Sequence, residues 1–515
     1  MRSKLVAALV VLVVLCFGAL EGAWFFALKE AEQAGVDWVD ADWGVRSRTL
    51  YGVRYGPALA EEVELEWGRV TLRNVEVDVL ELKGGSSGLE GESSGLPPVE
   101  VVIEGLVLRL GERELATLSG HLNEHGQGKL RGEGSELQVP APMGARARLT
   151  LEQPVEHEHV NGTVKVIAVL SDPPVVRLQS DDLVVQHELL STKQMALPPL
   201  KGEFSIEDDA LAGVLSLGEL PMQTRVELDG GLHVQADNAD AGPVFAVFAD
   251  IVPELRWAHV EGEISFEASY SLADGSWTLE QQIHRLGVSG AVKNLGTLRG
   301  GPFTYAVRDP EGNIVPRECG EGSEGWTPIH RVSDHLLAAI IAAEDSAYYD
   351  HTGYSQASID EALQANIEAG EVVRGGSTLT QQLAKNLFLD GERTMERKLR
   401  EMVIAVELDR ALGKRRVLEL YVNVVEWGPE MWGVEAASDR YFLRQPEVLP
   451  PNEAAFLAAL LPDPRGMYTQ WYLADRASHV RIDWILENMA NGGHLTEAEA
   501  ASWAREPLRF VPPPK

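Results

Sequence analysis

The stretch Arg374-Gly-Gly-Ser-Thr-Leu-Thr-Gln-Gln-Leu-Ala-Lys-Asn386 is the most informative part of this chain. Its apolar residues recur at a helical period, and polar groups stand between them. Glu344 lies upstream of the stretch, and Glu401 lies downstream beside a run of arginines and lysines. Two carboxylates and a basic run indicate acid/base chemistry next to a bound anion. The polar groups of the stretch suit a ligand rich in oxygen atoms; they belong to Ser377, Thr378, Thr380, Gln381, Gln382 and Lys385.

Length and charge limit the class of protein. The chain has 515 residues, and about one domain per 150 residues suggests roughly three units. The formal charge of -33 argues against nucleic acid as a partner, because phosphate backbones need a basic footprint. One local exception, the basic run between Arg393 and Arg416, is where we expect a bound phosphate. Cys16 and Cys319 are far apart, so the chain is not a disulfide scaffold.

The N-terminus has the pattern of a membrane anchor. Arg2 and Lys4 precede an apolar run over residues 5–20, which resumes over residues 23–28. Roughly 20 apolar residues can cross a bilayer, and leading basic residues keep the N-terminus cytoplasmic. We therefore predict a transmembrane signal-anchor over residues 1–30. A cleaved signal peptide is the alternative, and both interpretations export the rest of the chain.

Residues 37–299 have the alternating pattern of β-strands. Apolar and acidic residues alternate repeatedly, which predicts strands with one apolar face and an extracytoplasmic β-rich domain. The low-complexity residues 84–95 predict a loop. The histidines of this region are scattered without the spacing of metal ligands. The clearest alternation is at Val63 and Leu65, Val75 and Val77, Leu106 and Leu108, and Ile264 and Phe266.

The C-terminal third changes to a helical period. Residues 300–325 are rich in turn residues and are interpreted as a linker. Beyond Trp326, Ser333 and Ser355 are candidate N-caps of two helices, the second ending near Gly370. The predicted fold class is multidomain α+β, with an N-terminal transmembrane helix, a β-rich middle region and a mainly α-helical domain over residues 326–510.

The helix expected between Arg393 and Leu408 has two different faces. Arg397 and Glu401 are four residues apart on its polar face, which in most helices is a solvated face with internal salt bridges. Glu344 favours a functional site over a solvated face. It ends an otherwise apolar helix, so it should lie at the rim of the core, where partial desolvation raises the pKa of a carboxylate and suits a general base. The apolar face comprises Leu399, Met402, Val403 and Val406.

The order of the polar motifs resembles the five motifs of the peptidoglycan glycosyltransferases. These are the family 51 enzymes of class A penicillin-binding proteins and monofunctional transglycosylases. The resemblance covers about residues 326–508, and it implies a lysozyme-like, mainly α-helical fold. The motif segments are Glu344–Gly353, Gly375–Asn386, Arg397–Glu401, Lys414–Asn423 and Gly428–Phe442.

The resemblance implies a membrane-anchored monofunctional glycosyltransferase that polymerises lipid II by inverting transfer and releases undecaprenyl diphosphate. It implies that Glu344 is the general base and that Glu401 positions the diphosphate, directly or through a divalent cation. No cofactor is required, with Mg²⁺ or Mn²⁺ at Glu401 as the candidate metal. Tyr421 and Asn423 are expected to be structural. The implied substrate-binding residues are Ser377, Thr378, Gln381, Gln382, Lys385, Asn386, Arg397, Lys398 and Lys414.

Two segments depart from the family pattern. After Glu344-Asp345 the family carries a basic residue and a phenylalanine, whereas this chain has Ser346, Ala347 and Tyr348. The segment Trp427–Trp432 is bulkier than usual. Both glutamates are retained, so we expect an active enzyme. The motifs of the penicillin-binding transpeptidase are absent, so the expected partners are lipid II, the growing glycan chain, inner-membrane lipid and separate transpeptidases.

Two other functions remain open at this point: a non-catalytic cell-envelope scaffold that binds lipid II, and a lytic enzyme that cuts glycan. The phosphate-binding arginines argue against the lytic enzyme. The β-rich region resembles AsmA-like envelope proteins in its repeated strand pattern, without a shared motif. It is interpreted as a spacer or docking domain, with a lipid-binding groove as the alternative. The predicted location is the bacterial inner membrane, with a single pass and the bulk of the chain periplasmic.

Overall fold

The computed structural model describes residues 36–512, apart from short gaps. The predicted transmembrane segment, residues 1–30, and the predicted loop over residues 84–95 lie outside the described residues. Across the described part of the chain, no helix is both long and apolar enough to cross a membrane. The undescribed positions within this span are 38, 44–47, 56–57, 67–68, 79–99, 111–112, 123–127, 134, 140–146, 157–158, 171–174, 188–189, 208–209, 228–230, 272–275, 310–311, 362–375, 390–393 and 475–476.

The chain divides into two compact units. The first comprises residues 1–185, 196–235 and 267–279. The second comprises residues 186–195, 236–266 and 280–515. The second unit therefore includes three segments that the sequence analysis assigned to the β-rich region, residues 186–195, 236–266 and 280–299. The mixed α+β class is confirmed, with strands dominating the first unit and helices the C-terminal part of the second.

The strands account for most of the chain before residue 320. Their bounds are β1 Val36–Asp37, β2 Asp40–Trp43, β3 Arg48–Tyr55, β4 Ala58–Glu66, β5 Arg69–Asp78, β6 Glu100–Leu110, β7 Arg113–Leu122, β8 Gly128–Gly132, β9 Ser135–Val139, β10 Ala147–Glu156, β11 Val160–Leu170, β12 Val175–Ser180, β13 Val184–Val185, β14 Met195–Ala196, β15 Leu200–Glu207, β16 Ala210–Leu217, β17 Leu220–Glu227, β18 Gly231–Asp240, β19 His259–Ser271, β20 Trp277–Ser289, β21 Pro302–Arg308, β22 Ile314–Gly320, β23 Glu426–Gly428 and β24 Met431–Trp432.

The first unit is a ladder of strands that follow one another in sequence. Strands β3, β4 and β5 pair antiparallel, β5 and β6 pair parallel, and β6 to β11 again pair antiparallel. The alternation predicted from the sequence is confirmed: Val63, Val75 and Leu106 are buried in β4, β5 and β6. Apolar residues at every second position give each strand one face that leaves water.

The helices lie mainly beyond residue 330. Their bounds are α1 Ala241–Ala246, α2 Leu295–Arg299, α3 Asp334–Glu344, α4 Leu379–Phe388, α5 Met395–Leu412, α6 Lys414–Val424, α7 Val434–Phe442, α8 Pro451–Leu460, α9 Pro464–Met467, α10 His479–Asn491 and α11 Glu497–Trp503. Short 3-10 helices form at Pro253–Arg256, Ile329–Arg331 and Pro446–Val448, and a π-helix forms at Tyr468–Leu473.

The core of the second unit is built around α8, in which every residue is buried. Beyond Glu453 the helix contains only apolar residues, most of them small, and a helix that is apolar on all sides can be enclosed by its neighbours. Helix α3 belongs to the same core through Leu336, Ile340 and Ile341. The predicted N-cap is confirmed, because the Ser333 side chain accepts a hydrogen bond from the His335 amide. Packing α3 into the core places its last residue, Glu344, at the edge of that core.

The linker expected over residues 300–325 is instead a β-hairpin. Strands β21 and β22 pair antiparallel from Pro302↔Gly320 to Arg308↔Ile314. Phe303, Tyr305 and Val307 are buried in the core, and the Tyr305 hydroxyl donates a hydrogen bond of 3.1 Å to the Val424 carbonyl. The turn residues at the tip of the hairpin suggested a linker, but the alternating apolar residues before them decide the structure.

Candidate active site

Glu344 is the last residue of α3, and its side chain is 12% exposed. Burial raises the pKa of the Glu344 carboxyl above its ordinary value, because the charged form loses hydration. A hydrogen bond from Gln382 and the charge of Arg481 act in the opposite direction on this pKa, while the charge of Asp345 raises it. The structure thus agrees with the prediction of a carboxylate at the core rim with a raised pKa.

Gln382 fixes the position of the Glu344 carboxylate. Its Nε2 donates a hydrogen bond of 2.8 Å to Glu344 Oε2. Its Oε1 accepts a hydrogen bond of 2.9 Å from the Tyr421 hydroxyl. Tyr421 is completely buried in the core. Because a hydroxyl occupies the carbonyl end of the amide, the amino end of Gln382 faces Glu344 and favours the ionised carboxylate.

Arg481 is a site residue that the sequence analysis missed. Its Nη2 lies 3.5 Å from Glu344 Oε1, and it comes from α10, well downstream of the motif segments. Its Nε is buried with no hydrogen-bond partner among the described residues. The sequence around it signals only a helix start at Ser478, so no local pattern could have assigned Arg481 to the site.

Asp345 connects the start of α4 to the end of α3. Its Oδ2 accepts a hydrogen bond of 2.9 Å from the Leu379 amide, the first of α4. Its Oδ1 lies 2.9 Å from His351 Nε2. Asp345 is buried, so these partners replace the water that its carboxylate would otherwise require. The link holds the helix that carries Gln382 against the helix that carries Glu344.

Thr378 and Gln381 form the capping box of α4. The Gln381 amide donates to Thr378 Oγ1 at 3.2 Å, and the Thr378 amide donates to Gln381 Oε1 at 2.9 Å. The Thr378 hydroxyl in turn donates to the Gly353 carbonyl at 2.7 Å. Each residue is 1% exposed. Both side chains are thus enclosed and occupied in starting the helix, whereas the family resemblance implied that they contact the substrate.

Glu401 lies between two cations on α5. Its Oε1 accepts a hydrogen bond from Arg397 Nη1, and its Oε2 lies 3.1 Å from Lys398 Nζ. Lys398 also donates to the Ser377 hydroxyl, just before α4. The Glu401 side chain is 4% exposed, whereas those of Arg397 and Lys398 are 19% and 37% exposed. The carboxylate therefore holds two partly accessible cations in place.

The residues present do not fit a divalent cation held at Glu401. Both carboxylate oxygens of Glu401 already accept from cationic side chains. Elsewhere in the described part of the chain, no three His, Cys, Asp or Glu residues are grouped as metal ligands. Hard divalent cations need several oxygen ligands at once. The charge available at this position comes from Arg397 and Lys398.

The remaining predicted residues lie at the margins of this arrangement. Lys385 is exposed on α4, and Asn386 follows it half-buried. Lys414 Nζ pairs with Asp409 Oδ2 at 2.6 Å and lies 4.4 Å from the centre of the Tyr348 ring. The structure therefore places Lys414 in an ion pair and a cation–π contact, rather than with Arg397 and Lys398. As expected, Asn423 is structural: its side chain hydrogen-bonds both the amide and the carbonyl of Thr327.

Both glutamates are joined to one short stretch, Ser377 to Gln382. Glu344 binds Gln382 directly, and Glu401 reaches Ser377 through Lys398. Glu344 has a raised pKa and suits proton transfer, while the Glu401 group presents positive charge. The geometry therefore places a buried carboxyl of raised pKa and a pair of cationic side chains on either side of the stretch Ser377 to Gln382.

Comparison with known proteins shows the family to which the chain belongs. The family described as Transglycosylase matches residues 312–490, which include Glu344, Glu401 and Arg481. A biosynthetic peptidoglycan transglycosylase from Thiobacillus denitrificans is 46% identical over 155 residues, covering 30% of this chain and 65% of that protein. One from Shewanella amazonensis is 43% identical over 195 residues, covering 38% of this chain and 78% of that protein. Penicillin-binding protein 1A from Aquifex aeolicus is 38% identical over 207 residues, covering 40% of this chain and 28% of that protein.

Proposed function

Since the chain belongs to the peptidoglycan transglycosylase family, we propose that it polymerises lipid II into glycan strands by inverting transfer. The acceptor is the 4-hydroxyl of a lipid II sugar, and the donor is the sugar C1 of the growing chain. The bond from C1 to the acceptor oxygen forms as the bond from C1 to the diphosphate oxygen breaks. The hydroxyl loses its proton to a base, and the electron pair leaves with undecaprenyl diphosphate.

Glu344 is the general base in this proposal. The observation that carries the assignment is its buried carboxylate. Burial raises its pKa, while the hydrogen bond from Gln382 favours the ionised form that can accept a proton. A base of raised pKa takes a hydroxyl proton more readily than an ordinary carboxylate. Arg481, 3.5 Å from Glu344 Oε1, keeps the resting carboxylate ionised and adds positive charge beside the reacting groups.

The leaving diphosphate binds at Arg397 and Lys398, with Ser377 beside them. Negative charge on the diphosphate grows as the C1–O bond breaks, so preorganised cations stabilise the transition state more than the ground state. Glu401 is a positioning residue, because each of its two carboxylate oxygens holds one of the two cations in place. Lys385, exposed on α4, supplies further positive charge to the lipid-linked diphosphate.

The substrate defines the location of the enzyme. Lipid II carries an undecaprenyl chain, so the reaction takes place at a membrane surface. We propose that residues 1–30 anchor the chain in the inner membrane as a single pass, with the described residues on the periplasmic side. Cross-linking of the product is assigned to separate transpeptidases.

Purified full-length protein in detergent, supplied with lipid II, tests the proposal. We expect glycan strands that a muramidase digests, together with free undecaprenyl diphosphate. A parallel gel containing cell-wall glycan tests for lytic activity, and clearing there without strand formation would replace the polymerase with a hydrolase. Lipid II that binds but yields no strands would favour a non-catalytic scaffold.

A further inference from the structure

Helix α5 has a second buried face, about 100° around the helix axis from the face that carries Arg397 and Glu401. In an α-helix, residues four or three apart lie on one face. Positions 396, 400, 403 and 407 form one such stripe, whereas 397, 401, 404 and 408 form another. The second stripe carries Arg397 and Glu401, and its residues Ile404 and Leu408 pack into the core around α8. The first stripe contacts segments from before residue 300, all within the second unit.

Glu254 binds Arg400 on this stripe through both of its carboxylate oxygens. The distances are 2.8 Å from Arg400 Nη2 to Glu254 Oε1 and 3.1 Å from Arg400 Nε to each oxygen. The Glu254 side chain is 11% exposed, and that of Arg400 is 25% exposed. A two-pronged, largely dehydrated ion pair fixes orientation as well as distance, unlike a single contact at the surface.

The first turn of α5 is held by residues 190 and 191. The Ser191 hydroxyl donates a hydrogen bond of 2.5 Å to Glu396 Oε2, and the Glu396 amide donates one of 2.8 Å to the Leu190 carbonyl. Ser191 and Glu396 are both buried. An amide in the first turn of a helix lacks a partner within the helix, and here the Leu190 carbonyl supplies it.

The middle of α5 is held by two amides and an apolar cluster. The carboxylate of Glu407 accepts from the Gly290 amide at 2.8 Å and from the Val292 amide at 2.7 Å. Val403 and Val406 pack in one cluster with residues from the same segments: Ala241, Phe245, Ile264, Ile283, Leu286, Val288 and Ala291. Three buried glutamates thus lie at this face of α5: Glu396 and Glu407 belong to the helix, and Glu254 binds it through Arg400.

We propose that these segments brace the catalytic helix, and that Ser191 and Glu254 are positioning residues for glycan polymerisation. They act through Glu396 and Arg400, which are neighbours in sequence of Arg397 and Glu401. Fixing the face of α5 that carries Glu396 and Arg400 keeps Arg397 and Lys398 in the positions in which they can bind a leaving diphosphate. Residues 186–195, 236–266 and 280–299, which belong to the second unit, are thereby a working part of the transferase. This inference rests on the proposed function for its kinetic readout.

The test measures hydrogen exchange of residues 395–401 and polymerisation kinetics on the full-length protein in detergent. In Glu254→Gln we expect exchange at these amides to rise about tenfold, because Arg400 loses a buried counter-charge. We expect kcat to fall about tenfold, with KM changed less than about threefold. Glu254→Asp, which keeps the charge, should recover most of kcat.

The matched control is Glu261→Gln. Glu261 pairs with Arg410 at the other end of α5, but both side chains are more than half exposed, so this pair should contribute little. Wild-type exchange and wild-type kcat in Glu254→Gln would overturn the brace, as would an equal loss in Glu261→Gln. If Glu254→Gln fails to fold, Ser191→Ala decides by the same two readouts, with a smaller expected change. An inactive wild type would refute the proposed function, while the exchange measurement would still judge the brace.

Discussion

Gln382 Nε2 lies 2.8 Å from Glu344 Oε2, and this hydrogen bond joins the most distinctive motif of the chain to its proposed base. The donor is oriented from behind, since the Tyr421 hydroxyl occupies the other end of the Gln382 amide. The bond stabilises the ionised carboxylate and partly offsets the effect of burial on its pKa. Gln382 therefore lowers the pKa of Glu344 from the level that burial alone would produce.

Removal of this hydrogen bond should shift the pH–rate profile. In Gln382→Met the pKa of Glu344 should rise further, because the hydrogen bond lowers it in the wild type. The acidic limb of kcat/KM should therefore move to higher pH. Tyr421→Phe keeps the amide and should move the limb by less. An acidic limb that stays in place or moves downward in Gln382→Met would contradict this assignment.

Glu344 should reduce the stability of the folded protein at neutral pH. Its pKa is raised on folding, so between the unfolded and the folded pKa the native state binds more protons and stability falls as pH rises. Glu344→Gln should therefore melt about 1–3 °C higher than the wild type at pH 7.5, with the difference shrinking toward pH 4. Thermal melts at both pH values measure this. A neutral substitution at exposed Glu497, Glu497→Gln, should show no such pH-dependent gain.

Loss of Glu401 should impair departure of the diphosphate. In Glu401→Gln, Arg397 and Lys398 lose the charge that holds them, and we expect kcat to fall about 100-fold, as for removal of a transition-state stabilising group. Single-turnover release of undecaprenyl diphosphate measures the step. Because no metal is assigned to Glu401, wild-type activity should survive EDTA. Activity that disappears with EDTA and returns with Mg²⁺ would require a metal here after all.

Thr378 should matter for stability more than for substrate binding. Thr378→Ala removes the capping hydroxyl of α4 and should cost about 1–2 kcal/mol, seen as a melting point lower by about 2–8 °C. Thr378→Ser keeps the cap and should behave almost as the wild type. If Thr378→Ala instead raised KM for lipid II without lowering the melting point, the direct substrate contact implied by the family resemblance would be restored.

Patterns within a single segment predicted the elements whose formation depends on that segment alone. The period of 3.6 located α5 with its apolar face at Val403 and Val406, and the cap at Ser333. The hairpin at residues 302–320 was missed although Phe303, Tyr305 and Val307 alternate, because the turn residues after them dominated the interpretation. Thr378 and Gln381 have the spacing of a capping box. The box was not predicted, because both residues were interpreted as substrate contacts.

Contacts between distant segments could not be predicted in this way. Arg481 approaches Glu344 only because α10 packs beside α3 in the core. Glu254 approaches Arg400 across a long separation in sequence, and neither residue carries a local signal of the other. The parallel pairing of β5 with β6 is likewise a property of the sheet, since the sequence of a strand does not specify the direction of its neighbour.

The assignment of Glu344 as general base is tested most directly by comparing the wild type, Glu344→Gln and Glu497→Gln at saturating lipid II, with diphosphate release measured in the pre-steady-state phase. Glutamine keeps the shape of Glu344 but cannot take the hydroxyl proton. We expect Glu344→Gln to bind lipid II normally and to release undecaprenyl diphosphate at least about 1,000-fold more slowly, while Glu497→Gln matches the wild type. Release at a near-wild-type rate by Glu344→Gln would show that another group removes the proton.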